Sequence, residues 1–167
     1  MKISSLLSLI VITLVLVNCD KSKEAAKNHV NCDGLITDTL GTGDNAKIYM
    51  PNAFSPNDDG INDICRPITR NVALIVFTIY DCDNNVVFNT TSLQEGWHPA
   101  SGPHTWTTYY YKIQVATEAG HHIGVCGEVY SLSCFPGSMP RSSFCFEDQF
   151  MMDGFTGVTM ERIGTCP

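Results

Sequence analysis

The hydrophobic pattern divides this chain into a short apolar start, a polar stretch and a longer region suited to β-strands. The apolar run from Leu6 to Val17 follows one lysine, Lys2, and is shorter than the ~20 residues that a membrane-spanning helix needs. Such a run is typical of an export signal. Residues 20–46 are polar and cannot bury enough apolar surface to fold alone, so we expect a flexible stalk there.

The region beyond the stalk carries the alternation and the turn residues of a β domain. Residues 71–80 have apolar side chains at both parities, which predicts a strand covered on both faces. The asparagines within 83–85 tolerate positive φ, so they predict a hairpin into a strand at 86–88.

Two further strands follow along the chain. Residues 107–117 alternate cleanly, with one face formed by Tyr109, Tyr111, Ile113 and Val115. A glycine turn at 118–120 leads into a strand from about 123 to 134. Short strands joined by Asn, Gly and Pro turns, without a helical pattern, predict an all-β sandwich.

One loop concentrates oxygen-bearing side chains around Gly60: Asn57, Asp58, Asp59, Asn62 and Asp63. Against the EF-hand template the twelfth position is Arg66, where a bidentate glutamate is required, so the loop is not an EF-hand. A looser calcium site is still predicted, with side-chain ligands Asp58, Asp59, Asn62 and Asp63 and with backbone carbonyls. The alternative is a loop whose side chains hydrogen-bond to its own backbone.

Other candidate chemistry is weak. His121, His122 and Cys126 offer transition-metal ligands, but adjacent strand residues point to opposite faces, so exposed polar residues are the better interpretation. No serine stands in a Gly-x-Ser-x-Gly context, and the pair Asp58-Asp59 lies in a loop rather than in a dry cleft. We therefore expect no enzymatic activity. The formal net charge of −7 and the lack of a basic patch also disfavour nucleic acid as a partner.

The cysteines point to an exported protein. The apolar run ends in Leu16-Val17-Asn18-Cys19, which resembles the lipobox of bacterial lipoproteins. That resemblance implies that Cys19 is acylated and anchors the chain in a membrane; an ordinary secretory signal is the alternative. The disulfide candidates are then Cys32, Cys65, Cys82, Cys126, Cys134, Cys145 and Cys166. Export favours disulfides, and the lack of a Cys-x-x-Cys pair disfavours zinc, so we expect three disulfides and one thiol with the pairing left open.

The segment from Ile48 to Asp63, Ile-Tyr-Met-Pro-Asn-Ala-Phe-Ser-Pro-Asn-Asp-Asp-Gly-Ile-Asn-Asp, resembles the opening motif of a known family. That family is the gliding-motility-associated C-terminal domain, also called the type B sorting domain of the type IX secretion system. The resemblance continues in order through Ile79-Tyr80, Val87-Phe88, Gly96-Trp97, Tyr109-Tyr110-Tyr111 and Gly127–Leu132. It implies an Ig-like β-sandwich that serves as a recognition tag for transport across the outer membrane. It also implies that Trp97, Tyr109 and Tyr111 are core residues rather than a sugar-stacking platform.

Three features depart from the family pattern. Asp81-Cys82-Asp83-Asn84 replaces the usual Asn-Arg-Trp-Gly at the hairpin, no cargo is expected before the domain, and residues 135–167 extend past its usual end. We expect this extension to pack back as a disulfide-held flap, with apolar contacts from Phe144, Phe146, Phe150 and Phe155.

These inferences predict four segments: a lipoprotein signal peptide (1–18), a flexible stalk (19–46), a gliding-motility-associated sandwich (47–134) and a Cys-containing extension (135–167). The predicted function is that of a lipid-anchored, non-enzymatic protein of the cell envelope, at the outer membrane or cell surface. Its sandwich would be an interaction or assembly module related to gliding motility and type IX secretion. The alternatives are a sorting signal recognised by the type IX apparatus and a calcium-dependent adhesin or sugar-binding module. The expected partners are a membrane, reached through the lipid, and secretion or motility components.

Overall fold

The computed structural model describes residues 32–100 and 102–167. The predicted signal peptide, the lipidation residue Cys19 and the first part of the predicted stalk lie outside the described residues. Within those ranges, no helix has the length and apolarity needed to cross a bilayer.

Strands dominate the described part of the chain. Their bounds are β1 Lys47–Tyr49, β2 Ala53–Phe54, β3 Ile68–Arg70, β4 Val72–Tyr80, β5 Val86–Thr90, β6 Trp106–Thr117, β7 His122–Leu132, β8 Phe150–Met151 and β9 Gly154–Phe155. Two short 3-10 turns, Arg141–Ser143 and Glu147–Gln149, are the helical elements of this part. The predicted hairpin between β4 and β5 is present, and Asn84 supplies the positive φ of 63° that its turn requires.

The main sheet has five strands in the order β2-β7-β6-β4-β5. β2 is parallel to β7, and the other pairs in this sheet are antiparallel. β1 pairs with β3, and β8 pairs with β9, each as a two-stranded antiparallel sheet. Ile48 of β1 packs against the core on the inner face of the main sheet, so the β1–β3 pair forms part of a second layer. The predicted all-β class is confirmed, and the layering is consistent with a β-sandwich.

The inner face of the main sheet carries the core, as the alternation predicts. On β4 the inward residues Ile75, Phe77 and Ile79 are buried, whereas Leu74 and Val76 on the outer face are 69% and 46% exposed. The prediction that this strand is covered on both faces is therefore wrong at these two positions. Apolar residues at both parities indicate that either face could be covered, but they do not supply a covering element.

A second core joins the C-terminal extension to the sheet. It contains Ala53 of β2, Leu132 of β7, and four residues from the extension: Phe135, Phe144, Phe146 and Ile163. The disulfide Cys134–Cys166 ties the end of the extension back to the last residue of the predicted sandwich segment. The expected disulfide-held flap is thus present. Phe144 and Phe146 are in the second core, whereas Phe155 is 55% exposed and packs on Phe150, with ring centroids 5.2 Å apart.

The described part of the predicted stalk, residues 32–46, lies against the sheet. The disulfide Cys32–Cys126 ties it to β7, and the Asp38 amide donates to the His122 carbonyl over 2.9 Å. The Gln114 side chain bonds both the N–H and the C=O of Ile36, at 2.8 and 2.9 Å. We call residues 32–46 the N-terminal arm. This part is anchored rather than free, because side chains of the sheet and one disulfide compensate for its lack of apolar surface.

The cysteines divide into bonded and free groups. Cys32–Cys126 and Cys134–Cys166 are disulfides. Cys65 and Cys145, which the sequence offered as disulfide candidates, are free thiols. Cys65 is buried in the main core and bridged through its backbone to Trp97, whereas Cys145 lies in the extension, where its backbone bonds to β2.

Candidate interaction surface

The oxygen-rich loop is organised by the Asp63 carboxylate. Its Oδ1 accepts the backbone N–H of Asn57 at 2.9 Å and of Asp58 at 2.8 Å, and its Oδ2 accepts the N–H of Gly60 at 2.7 Å. Asp59 repeats the pattern locally, because its Oδ1 accepts the N–H of Ile61 at 2.8 Å. The loop therefore adopts the hydrogen-bonded conformation that the sequence offered as the alternative to a metal site.

Three residues of this loop have positive φ: Asp58 at 64°, Gly60 at 85° and Asn62 at 54°. Short polar side chains and glycine tolerate that conformation, which explains why these residue types are grouped here. The reversal directs Asn62 inward, where it is 9% exposed, and leaves the Asp58 carboxylate outside, 3.1 Å from His98.

The predicted calcium ligands do not converge on one point through free oxygens. Asp59 and Asp63 bond to the loop backbone, and Asn62 faces the C-terminal extension. Within residues 32–100 and 102–167, no group of three or more His, Cys, Asp or Glu side chains is placed to hold a metal ion. Calcium binding by Asp58, Asp59, Asn62 and Asp63 stays a prediction.

The C-terminal extension lies directly on this loop. The Asn62 Oδ1 accepts the N–H of Asp148 at 3.1 Å, and the Asn62 Nδ2 donates to Glu161 Oε2 at 3.2 Å. The hydroxyl of the fully buried Ser55 donates to the same Glu161 oxygen. One carboxylate of the extension thus satisfies two buried polar groups of the motif.

A second set of contacts lies between the extension and the start of the motif. The N–H groups of Asn52 and Ala53 both donate to the Cys145 carbonyl, at 3.0 and 3.2 Å. The Asn52 side chain accepts the Cys145 N–H at 2.6 Å and donates to the Ser143 carbonyl at 2.9 Å. The extension therefore runs beside the edge of β2 through main-chain bonds.

An ion pair completes this contact. The Arg66 guanidinium donates through Nε and Nη2 to Glu147 Oε1, at 2.8 and 2.5 Å. Arg66 directly follows Cys65, whose backbone pairs with that of Trp97. A side chain at Gly96 would place its Cβ 2.8 Å from the Cβ of Arg66, so this close approach requires glycine.

A groove of about 710 Å³ opens between the loop and the extension. The loop side includes Asp63, Ile64 and Arg66, and the extension contributes three exposed methionines at its rim: Met151, Met152 and Met160. Thioether side chains are flexible and adapt to varied apolar surfaces.

The His121, His122 and Cys126 group is structural in the described chain. Cys126 is in a disulfide, and the two histidines bond to carboxylates of the N-terminal arm: His121 Nδ1 lies 2.9 Å from Asp44 and His122 Nδ1 lies 3.1 Å from Asp38. A hydrogen bond from the Thr117 hydroxyl is the main cause that lowers the pKa of Asp44. The backbone N–H of His122 does the same to the pKa of Asp38.

The aromatic residues named from the sequence are in the core. Trp97 is 9% exposed and packs edge-on to Tyr109, with ring centroids 4.7 Å apart, while Tyr111 is 8% exposed. Burial raises the pKa of Tyr109 and of Tyr111, and it also raises the pKa of the Cys65 thiol. A thiol in that state is a poor nucleophile.

The partners of the motif were not predictable from local sequence pattern. Asn52 and Ser55 of the motif, and Arg66 just after it, had no assigned contact, and Glu147 and Glu161 had no signal in the sequence. An ion pair between residues 81 positions apart becomes visible only when the extension is folded onto the loop.

Comparison with known proteins identifies the segment that carries this motif. Residues 48–126 match the family model described as the CHU_C Type IX secretion signal domain. This segment is a type IX secretion signal domain. The resemblance drawn from the opening motif is confirmed. No curated protein and no solved structure matches the chain.

The signal domain includes β1 to β6 and the first part of β7, together with the whole oxygen-rich loop. Its family is a non-enzymatic sorting family, and it implies an association with the type IX secretion machinery and an envelope or cell-surface setting. The contacts from residues 143–161 therefore fall on the opening motif of a secretion signal domain and on Arg66, just after that motif.

Proposed function

We propose that this chain is a lipid-anchored envelope protein that uses its type IX secretion signal domain as a docking module for secretion or motility components. The observation that carries the proposal is the cover over the motif. Asn52, Ser55, Asn62 and Arg66 of the signal domain all bond to the chain's own extension. The cover would have to leave before a transport apparatus could read the motif, whereas a docking module can exchange its cover for a partner. The cover therefore favours a module that stays with the protein.

The anchor in this proposal is Cys19, supported by the sequence Leu16-Val17-Asn18-Cys19 after an apolar run. Acyl chains on that cysteine would hold the chain at a membrane, since each buried methylene contributes ~0.8 kcal/mol. Intact mass of the mature protein from the membrane fraction tests this part. The expected mass is that of residues 19–167 plus lipid. An unmodified amino terminus at any other residue would contradict it.

The second candidate is a sorting signal read by the type IX apparatus, which the family description itself favours. Fusions to a secreted reporter separate the two functions. Residues 47–134 and residues 47–167 are each fused behind an export signal and expressed in a bacterium with an intact type IX system. If the chain is a docking module, neither fusion should reach the cell surface. Surface delivery that depends on the apparatus, by either fusion, would favour the sorting signal.

Docking itself is measured with the full chain. Crosslinking in intact cells, followed by purification under denaturing conditions, should recover secretion or motility components with the wild-type chain. The matched control is a chain with Arg66→Ala, since this side chain belongs to the surface that the extension covers. That surface is formed by Asn52, Asn62 and Arg66, and we call it the motif face. Equal recovery with both chains would contradict docking through this face.

A further inference from the structure

The motif face binds an extended backbone segment of the C-terminal extension. The Asn52 side chain holds the N–H of Cys145 and the C=O of Ser143 at the same time, as a neighbouring strand would do. The N–H groups of Asn52 and Ala53 reach the Cys145 carbonyl from the same side. These bonds go to the backbone, so they bind an extended segment whatever its side chains are.

Side-chain preference comes from two flanking features. Phe144 and Phe146 are 3% and 1% exposed, and they fill the second core against Ala53 and Leu132. The next residue, Glu147, meets the Arg66 guanidinium at 2.5 Å. The surface therefore selects two aromatic residues separated by one small residue and followed by an acid, the order in which the chain itself provides them.

We propose that Asn52, Asn62 and Arg66 form a peptide-docking site, and that residues 143–148 of the extension are its intramolecular occupant. The partner is an extended segment with the pattern aromatic, small, aromatic, acidic, which replaces the occupant by adding a strand at the edge of β2. The positive charge of Arg66 on a chain of net charge −7 accounts for the acidic preference. The biological role of this site rests on the docking function proposed above. The binding experiment below tests the site on its own.

The occupant is held in place by local covalent structure. The disulfide Cys134–Cys166 encloses residues 143–148, so it keeps the segment at a high effective concentration over the site. Removing that disulfide in the full chain should weaken the binding of residues 143–148 to the site without changing the residues of the site. The disulfide Cys32–Cys126 lies on the N-terminal arm, and its removal is the matched control.

The probe is a fluorescent synthetic peptide of residues 140–150, with Cys145 replaced by serine to prevent disulfide exchange. Fluorescence anisotropy measures its binding to the wild-type chain, to Cys134→Ser/Cys166→Ser and to Cys32→Ser/Cys126→Ser. We expect the first variant to bind at least tenfold more tightly than the wild type, and the control variant to bind as the wild type does. Equal weak binding by all three chains would overturn the proposal.

Two further variants test the assigned contacts. In the Cys134→Ser/Cys166→Ser background, Arg66→Ala should weaken peptide binding at least tenfold. Lys112→Ala should not change it, because Lys112 is on the interior strand β6 and its side chain donates to the Asp33 carbonyl of the N-terminal arm. A peptide with Phe146→Ala should also bind at least tenfold more weakly. Equal losses from Arg66→Ala and Lys112→Ala would contradict a specific site.

Hydrogen exchange shows whether each variant is still folded, so that a loss of binding can be told apart from misfolding. The amides of β6 and β7 should stay protected in every variant, whereas the Ala53 amide should lose protection without the Cys134–Cys166 disulfide and regain it with peptide. A concentration-dependent dimer without peptide binding would show that a second copy of the extension is the occupant and would overturn the partner proposal. Peptide binding with no recovery of secretion components in cells would uphold the site and refute the docking function.

Discussion

At the scale of single residues, Asp63 determines the shape of the motif loop. Its carboxylate accepts three backbone N–H groups, and each of those bonds involves an ionised acceptor. We expect Asp63→Ala to lower the free energy of unfolding by about 1–3 kcal/mol, as measured by urea denaturation. Asp58→Asn is the matched control, because asparagine tolerates the φ of 64° at this position and the Asp58 carboxylate is exposed and contacts His98 outside the loop backbone. Equal losses in both variants would contradict this role for Asp63.

The same residues carry the calcium prediction. Calorimetric titration of the full chain with calcium should produce heat, and the melting temperature should fall in chelator, if Asp58, Asp59, Asn62 and Asp63 bind the ion. Asp63→Ala should abolish both effects, because it removes a carboxylate from the cluster. A wild-type chain that gives no heat and no shift in melting temperature would dispose of the calcium-dependent adhesin.

At the scale of elements, the extension is held by its buried aromatic residues. Phe146 is 1% exposed, so Phe146→Ala should lower stability by about 3–5 kcal/mol through lost burial and the cavity left behind. Phe155 lies in the same extension but is 55% exposed, and Phe155→Ala should cost far less. Thermal unfolding by circular dichroism compares the two. Similar losses would show that the second core is not the element that holds the extension.

The N-terminal arm depends on ionised carboxylates. Because hydrogen bonds depress the pKa of Asp44 in the folded chain, its ionised form stabilises the fold above the unfolded pKa of about 3.9, and this contribution is lost as pH falls through the lower folded pKa. Asp44→Asn should therefore lower the melting temperature at pH 7, and its difference from the wild type should shrink below about pH 4. Glu118→Gln, in the exposed β6–β7 turn, is the control. A difference for Asp44→Asn that persists unchanged at low pH would contradict the ionic role.

At the scale of the whole molecule, two disulfides close loops of different length. The loop between Cys32 and Cys126 spans 94 positions, and the one between Cys134 and Cys166 spans 32. On chain-entropy grounds, removal of the disulfide that closes the longer loop should lower the free energy of unfolding by about 1 kcal/mol more than removal of the other disulfide. Denaturant unfolding of the two double Cys→Ser variants measures the difference. A larger loss from the shorter loop would indicate that its native packing outweighs the entropy of the unfolded chain.

Local pattern predicted much of the fold and little of the candidate site. Alternation in 107–117 predicted β6 and its inner face, and the asparagines near Asn84 predicted the β4–β5 hairpin, because both signals are contained in a few neighbouring residues. The contact of Glu161 with Ser55 joins residues 106 positions apart and has no periodic signal. The free state of Cys65 and Cys145 also has no periodic signal. These cysteines are free because they lie in separate surroundings, and the number of cysteines in the chain does not show which of them are close together.

The two disulfides also determine how the protein responds to mechanical tension. A pull applied at residues 32 and 166 passes through Cys32–Cys126, then along β7 and its end, and then through Cys134–Cys166. Only residues 127–133 lie on that path outside a closed loop, and fully extended they span roughly 25 Å. Tension would therefore lengthen the molecule by a small amount, while most of the signal domain is shielded from the load.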